Sequence, residues 1–213
     1  MSREAKILTA VLVVIVGAMI GLFALANSGQ NTPAPVGDKT KLIRDNSQKE
    51  GTGAIQLVEF GDYQCPACGA AYPGLKQLMK DYDGKITFYF RNFPLTNLHQ
   101  NATASANAAE SAGDQGKYWE MHDKLYETQS DWSTLSDPTD KFVSYAKDLG
   151  LDTDKFKKAL TDKQFQSLID QDVADANALS VDSTPTLYFN GVKYDGKTDY
   201  ASLRDQTEQL LKK

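Results

Sequence analysis

Apolar residues fall into two unlike patterns along this chain. Ile7 to Ala26 is a run of twenty residues without a charge, with Thr9 its only hydroxyl. At about 1.5 Å of rise per residue it reaches roughly 30 Å, the thickness of a bilayer's hydrocarbon core. Arg3 and Lys6 precede it, partly offset by Glu4, so positive charge holds the N-terminus inside and sends the remainder out. The pattern predicts an uncleaved single-pass anchor over residues 1–26. Ala24-Leu25-Ala26 also fits a signal-peptide cleavage pattern, although the apolar part of a signal peptide spans only about 7–15 residues. Both readings export the chain beyond residue 26. Residues 27–39, rich in Pro, Gly, Asn and Ser, read as a flexible linker to a domain over 40–213.

Within that domain the apolar rhythm is short and alternates between two periods. Ile55 to Phe60 reads as a central strand, and Ala70, Ala71, Leu75, Leu78 and Met79 then recur at helical spacing as far as Tyr82. Pro73 is expected to kink this helix without ending it. Asp83-Gly84 marks a turn before a second strand, Ile86 to Phe90, which completes a βαβ unit with a right-handed crossover. From about residue 97 to 180 the signals are helical: an Ala-rich stretch from Leu98 to Ala112, a helix bearing Tyr118, Met121 and Leu125, one opened by Asp137-Pro138, a short one capped by Asp152, and one from Phe165 to Leu179. Strand character returns at Thr186 to Phe189, and Asn190-Gly191 turns it into Val192 to Tyr194. A closing helix carries Tyr200, Leu203, Leu210 and Leu211. The order is βαβ, helical insertion, ββα, an α/β fold.

Composition narrows the function. Hydrophobic residues make up 41% of the chain, with nine Phe, ten Tyr and two Trp, enough for a real core and too many for a disordered protein. The net charge is −5, and without residues 1–26 it is −6. An acidic domain lacks the basic face that nucleic-acid phosphates require, and it has no electrostatic reason to lie on an anionic membrane surface.

The two cysteines, Cys65 and Cys68, carry the chemistry. Two are too few to staple a small fold, and they stand three positions apart. Cys65 falls where a helix begins, so unpaired N–H groups and the helix dipole favour its thiolate. Pro66 suits the first helical position, where its missing N–H is no loss. Cys68, one turn on and deeper, is placed to resolve a mixed disulfide formed at Cys65. A zinc site would need four ligands, and His99 and His122 lack the spacing to complete one. A purely structural bridge across so short a loop would add little stability. Redox chemistry is the reading that remains.

Two further positions stand out. Alternation puts Glu59 on the same strand face as Leu57, either beneath the cysteine helix as a desolvated general base for Cys68 or facing water at a sheet edge. Thr184-Pro185 opens a strand, and nothing in the residues alone argues for a cis bond there.

The run from Glu59 through Phe60, Asp62 and Gln64 to Cys65-Pro66-Ala67-Cys68 resembles the active site of DsbA-like thioredoxin-fold thiol–disulfide oxidoreductases. So do Phe93-Pro94-Leu95 with His99, and Thr184-Pro185-Thr186, and the resemblance covers roughly residues 41 to 211. It implies a thioredoxin fold with a helical insertion, Pro185 as a cis-proline facing the cysteines, and Glu59 as the buried acid. It also implies Thr184, Pro66 and Ala67 as substrate contacts, Thr184 through backbone pairing. Ala67 stands where strongly oxidising members often carry His, which leaves the redox potential open. Gln64 and Pro66-Ala67 match neither the Trp nor the Gly-Pro of reducing thioredoxins. The activity implied is disulfide formation in exported proteins, with no metal or organic cofactor and a quinone-linked membrane oxidant of the DsbB or VKOR type. An exported reductase or isomerase and a non-catalytic peptide-binding or chaperone module are the alternatives. Histidine 99 is expected near the active-site rim or bonded to a loop carbonyl, and His122 in the core.

Overall fold

The computed structural model describes residues 38–212. The anchor expected over 1–26 and nearly all of the linker expected over 27–39 lie outside the described residues. Among the described residues no helix is long and apolar enough to cross a membrane.

Five strands form one sheet in the order β1-β3-β2-β4-β5: β1 (Gln48–Gly51), β2 (Ile55–Gly61), β3 (Ile86–Asn92), β4 (Thr186–Phe189) and β5 (Val192–Tyr194). The central strand β2 runs parallel to β3 and antiparallel to β4, with Glu59 opposite Phe90 on one side and Leu187 on the other. All of β2 except Gln56 is buried, which accounts for its nearly unbroken apolar sequence. Helix α1 (Pro66–Asp81) makes the crossover between β2 and β3, and it continues through Pro73. Strand β1 gives no apolar signal in the sequence. Its residues Gln-Lys-Glu-Gly pair antiparallel to β3 at the sheet edge, and only alternate positions are half-buried.

The insertion holds α2 (Ala102–Gly113), α3 (Tyr118–Glu127), α4 (Gln129–Trp132), α5 (Thr139–Asp148), α6 (Thr153–Thr161) and α7 (Gln166–Ala178); α8 (Tyr200–Leu211) closes the fold. Two boundaries differ from the sequence reading. The Ala-rich helix starts at Ala102 instead of Leu98, because the side chains of His99 and Asn101 are engaged in tertiary hydrogen bonds and Leu98 is exposed. Helix α5 starts at Thr139, one residue later than an Asp137 N-cap would give; Pro138 takes φ −87° and ψ 3°, and the Asp137 carboxylate accepts the Thr139 N–H. Asp152 caps α6 as expected, accepting the N–H groups of Asp154 and Lys155.

The two sheet faces have separate cores. Leu57, Phe88, Phe90, Leu187 and Phe189 pack with α1, α3 and the insertion, and this layer includes both cysteines. Val58, Phe60, Tyr188 and Phe93 pack on the other face with Leu42 of the N-terminal 3-10 turn (Lys39–Lys41 and the residue after it) and with Ala176 and Val181. On that second side lies a buried ionic cluster. Arg91, fully buried, donates from Nε to Asp172 at 2.7 Å and from Nη2 to Asp175 at 2.8 Å. Its Nη1 bonds the carbonyls of Lys41 and Leu42, and Arg44 also pairs with Asp175. The cluster ties β3, α7 and the N-terminal turn together. Replacing Arg91 by Met would leave Asp172 buried without a cation and Asp175 with Arg44 and Lys41 alone, so the variant should lose about 3–5 kcal/mol of unfolding free energy in urea titration. A loss below about 1 kcal/mol would show that the cluster does not hold these elements together.

Candidate active site

Cys65 is the N-cap of α1, extended at φ −67° and ψ 123°, and Pro66 takes the first helical position. Its N–H donates to the Asp62 carbonyl at 3.0 Å, which folds the segment after β2 into a tight turn. The Asp62 carboxylate sets the rest of that turn: Oδ1 accepts the Gln64 N–H at 2.8 Å, and Oδ2 accepts the Leu95 N–H at 2.9 Å and meets His99 Nδ1 at 2.7 Å. Histidine 99 is therefore near the rim, bonded to a buried carboxylate instead of a loop carbonyl.

The two thiols are chemically unequal. The Cys65 thiol is pulled down to about 5, first by the hydrogen bond from the Cys68 thiol, and against the opposing effect of burial. Thr184 and the backbone N–H groups of Cys68 and Ala67 add to that. Those two N–H groups are the open end of the helix aimed at the sulfur, and they act without a histidine at position 67. Burial pushes the Cys68 thiol well above its ordinary range, and the bond it gives to Cys65 and the nearby Glu59 carboxyl push it further. Both cysteines are buried, and the relative exposures, 7% for Cys65 and 0% for Cys68, put the first nearer the surface than the second.

The Thr184–Pro185 bond is cis. Cys65 Sγ lies 3.5 Å from the Thr184 carbonyl oxygen, so the residue before the proline abuts the first cysteine. Glu59, 2% exposed, projects from the centre of β2 into the layer that holds the cysteines. Burial, and after it the charge of Cys65, raises its carboxyl to about 8. It is the buried acid and not an edge residue. Gly61, two positions on, leaves the space this needs: a Cβ there would stand 2.5 Å from the Phe90 ring and 3.0 Å from Glu59 Oε1.

Cys65, Cys68, Glu59, Thr184 and Pro185 thus converge, with Pro66 and Ala67 in the turn between the sulfurs. Two residues that the sequence reading missed hold the turn in place. Gln129 of α4 donates from Nε2 to the Tyr63 and Cys65 carbonyls at 2.7 and 3.0 Å. Gln64 bridges to the insertion, its Nε2 donating to the Ser133 carbonyl and its Oε1 accepting the Asn101 N–H. Neither carries a local sequence signal, because its partners lie more than thirty residues away. Asn101 is itself buried and donates to insertion carbonyls. No group of three or more His, Cys, Asp or Glu able to hold a metal occurs among the described residues.

A thioredoxin family model matches residues 53–209. An Na(+)/H(+) antiporter NhaA 1 of Salinispora arenicola is 38% identical over 160 residues, covering 75% of this chain and 24% of that protein. The chain thus spans about a quarter of the length of the first of its curated relatives, and their transport name stays with them. The probable disulfide bond formation protein D of Bacillus anthracis is 31% identical over 169 residues, 75% of each chain. Among solved structures, oxidised BdbD from Bacillus subtilis superposes with a TM-score of 0.70 at 25% identity, covering 78% of this chain and 94% of that one. The family match, the shared length with the disulfide formation protein and the convergence of the cysteines on a cis-proline agree: the chain belongs to the thioredoxin family, among its DsbA- and BdbD-like members.

Proposed function

We propose that this chain is a thiol–disulfide oxidoreductase that introduces disulfides into exported proteins through the Cys65–Cys68 couple. One observation carries the reading: a Cys65 thiolate at a helix N-terminus, with a protonated Cys68 and a buried Glu59 beneath it. A substrate thiolate attacks Cys65 of the oxidised protein, and the bond to Cys68 breaks. The sulfur released at Cys68 is buried and cannot stay charged, so it takes the proton of Glu59. A second substrate thiolate then attacks the substrate sulfur, and Cys65 leaves as a stabilised thiolate. Lowering the Cys65 pKa stabilises the reduced protein and so makes its disulfide more oxidising. The acid and the leaving group are matched to these two steps.

The uncharged run at 7–26 supports a membrane tether and work on the extracytoplasmic side, where disulfides persist. An extended reduced polypeptide pairing beside Thr184 is the substrate class, and a quinone-linked membrane protein of the DsbB or VKOR type is the proposed source of oxidising equivalents. Equilibrating a residue 27–213 fragment with glutathione tests the direction of electron flow. A potential between the roughly −120 mV of DsbA and the roughly −270 mV of thioredoxin is expected, and a value at or below −270 mV would make the chain a reductase.

Thiolate absorbance of the reduced protein should titrate with a midpoint near pH 5, and Cys65→Ser should remove that transition along with all disulfide exchange. An ordinary midpoint, near 8.5, would leave Cys65 unactivated. Glu59 allows a stability test with a defined sign. Its folded pKa is raised, so its contribution is fully present below about pH 4.5 and is lost as pH rises to about 8. Glu59→Gln escapes that loss. In the same redox state its stability relative to wild type should grow between pH 5 and 9, by on the order of 3 kcal/mol in denaturant titration. A pH-independent difference would place the carboxyl in contact with water.

A further inference from the structure

Glu59 is closed off from the solvent that must supply and remove its proton, and a small cavity adjoins it. A narrow cavity of about 10 Å³, room for a single water molecule, is lined by Glu59, Phe88, Tyr126 and His122 on its inner side. Its outer end is lined by Tyr72, Lys76, Asp123 and Glu50. Glu50, Tyr72 and Lys76 also line a surface groove of about 620 Å³, so the cavity beside the buried acid adjoins a solvent-filled groove.

Two polar atoms on that path have no hydrogen-bond partner in the protein, the His122 Nε2 and the Tyr126 hydroxyl, and both are buried. A buried polar atom left unpaired costs about 1–3 kcal/mol, so two lining one small cavity call for a function or a water. The other ring nitrogen of His122, Nδ1, stands 3.3 Å from Asp123 Oδ1. Asp123 in turn receives Lys76 Nζ at 2.6 Å, and its side chain is 23% exposed. An ionised Asp123 only accepts, so Nδ1 carries the hydrogen and Nε2 presents its lone pair to the cavity.

We propose that His122 is a positioning residue that relays protons between Glu59 and the surface, through a cavity water and Tyr126 on its inner side and Asp123 on its outer side. The inference rests on the oxidoreductase reading of Cys65, Cys68 and Glu59. Burial lowers the His122 pKa and keeps the ring neutral, which leaves Nε2 free to accept. Lys76 opposes its charging as well, while Asp123 favours it. The tyrosines around the ring, Tyr63, Tyr72, Tyr118 and Tyr126, are all shifted upward and stay neutral. Glu50, half-buried at the outlet, is raised by its own burial and lowered by Lys76.

Reoxidation of the reduced protein by oxidised glutathione separates the relay from its surroundings. In the first step the Cys65 thiolate attacks one glutathione sulfur, the glutathione disulfide breaks, and one glutathione thiolate leaves. At pH 7 Glu59 is mostly protonated, so it must release that proton outward before it can take the one on Cys68. The Cys68 thiolate then attacks Cys65 Sγ, the mixed disulfide breaks, and the second glutathione leaves. Two electrons pass to glutathione and one proton to solvent. Only the second step needs the relay.

Stopped-flow measurement of both steps in full-length protein from pH 5 to 9, for wild type, His122→Phe and Asp123→Asn, tests it. The second step at pH 7 should slow by about tenfold or more in both variants. The first step and the equilibrium constant with glutathione should stay unchanged, since a relay alters neither end state. A merely structural role would move the equilibrium constant or both steps together. Asp123 is 23% exposed and Asn has the same shape, so a second step unchanged in folded Asp123→Asn overturns the relay even if His122→Phe fails to fold. Wild-type protein that exchanges nothing with glutathione would overturn the oxidoreductase reading itself.

Discussion

The chemistry of this site is set around an acid held at the centre of a sheet. Strand β2 is covered on both faces and hydrogen-bonded on both edges, by β3 and β4, so whatever it projects is desolvated. Glu59 is the single ionisable residue in it. An isolated carboxylate there would be costly, and the chain answers by keeping the group protonated near neutral pH. The neighbours are arranged around that one placement. Gly61 leaves it room, the Cys68 thiol is raised partly by its charge, and a small cavity separates it from His122.

The helix N-terminus supplies the opposite bias. Within one turn of α1 the N–H groups and the Cys68 thiol favour charge on Cys65, while depth in the core disfavours charge on Cys68. Two like residues three positions apart are thereby split into a thiolate and a thiol. The insertion keeps this arrangement rigid. Gln129 grips the carbonyls of Tyr63 and Cys65, and Gln64 is tied to Asn101 and Ser133, so the turn is clamped from the helical side. Without those bonds the turn carbonyls would need water, and the site would be looser than thiol exchange geometry tolerates.

Much of this was legible in the residues. The period of the apolar positions marked four of the five strands, because β2, β3, β4 and β5 are apolar or flanked by turn dipeptides. The fifth, β1, is polar, and its pairing depends on the free edge of β3 and on Lys49 accepting the Trp119 indole N–H. Helix starts were correct where an aspartate caps directly, as at Asp152. They slipped where side chains serve distant partners, as with His99 and Asn101 before α2.

By itself the sequence determined the fold class, the place of Cys65 at a helix start and the greater depth of Cys68, since these come from local rules of periodicity, helix dipole and proline geometry. Whether Glu59 faced the core or water, whether Thr184–Pro185 was cis, and what His99 and His122 met were decided only in three dimensions. Alternation gives the face of a strand but not what covers it, and β4 and α3 are brought to β2 across more than fifty residues. The electrostatics of the site arise from that convergence: burial sets both the raised acid and the raised Cys68, and no local spacing in the chain encodes burial.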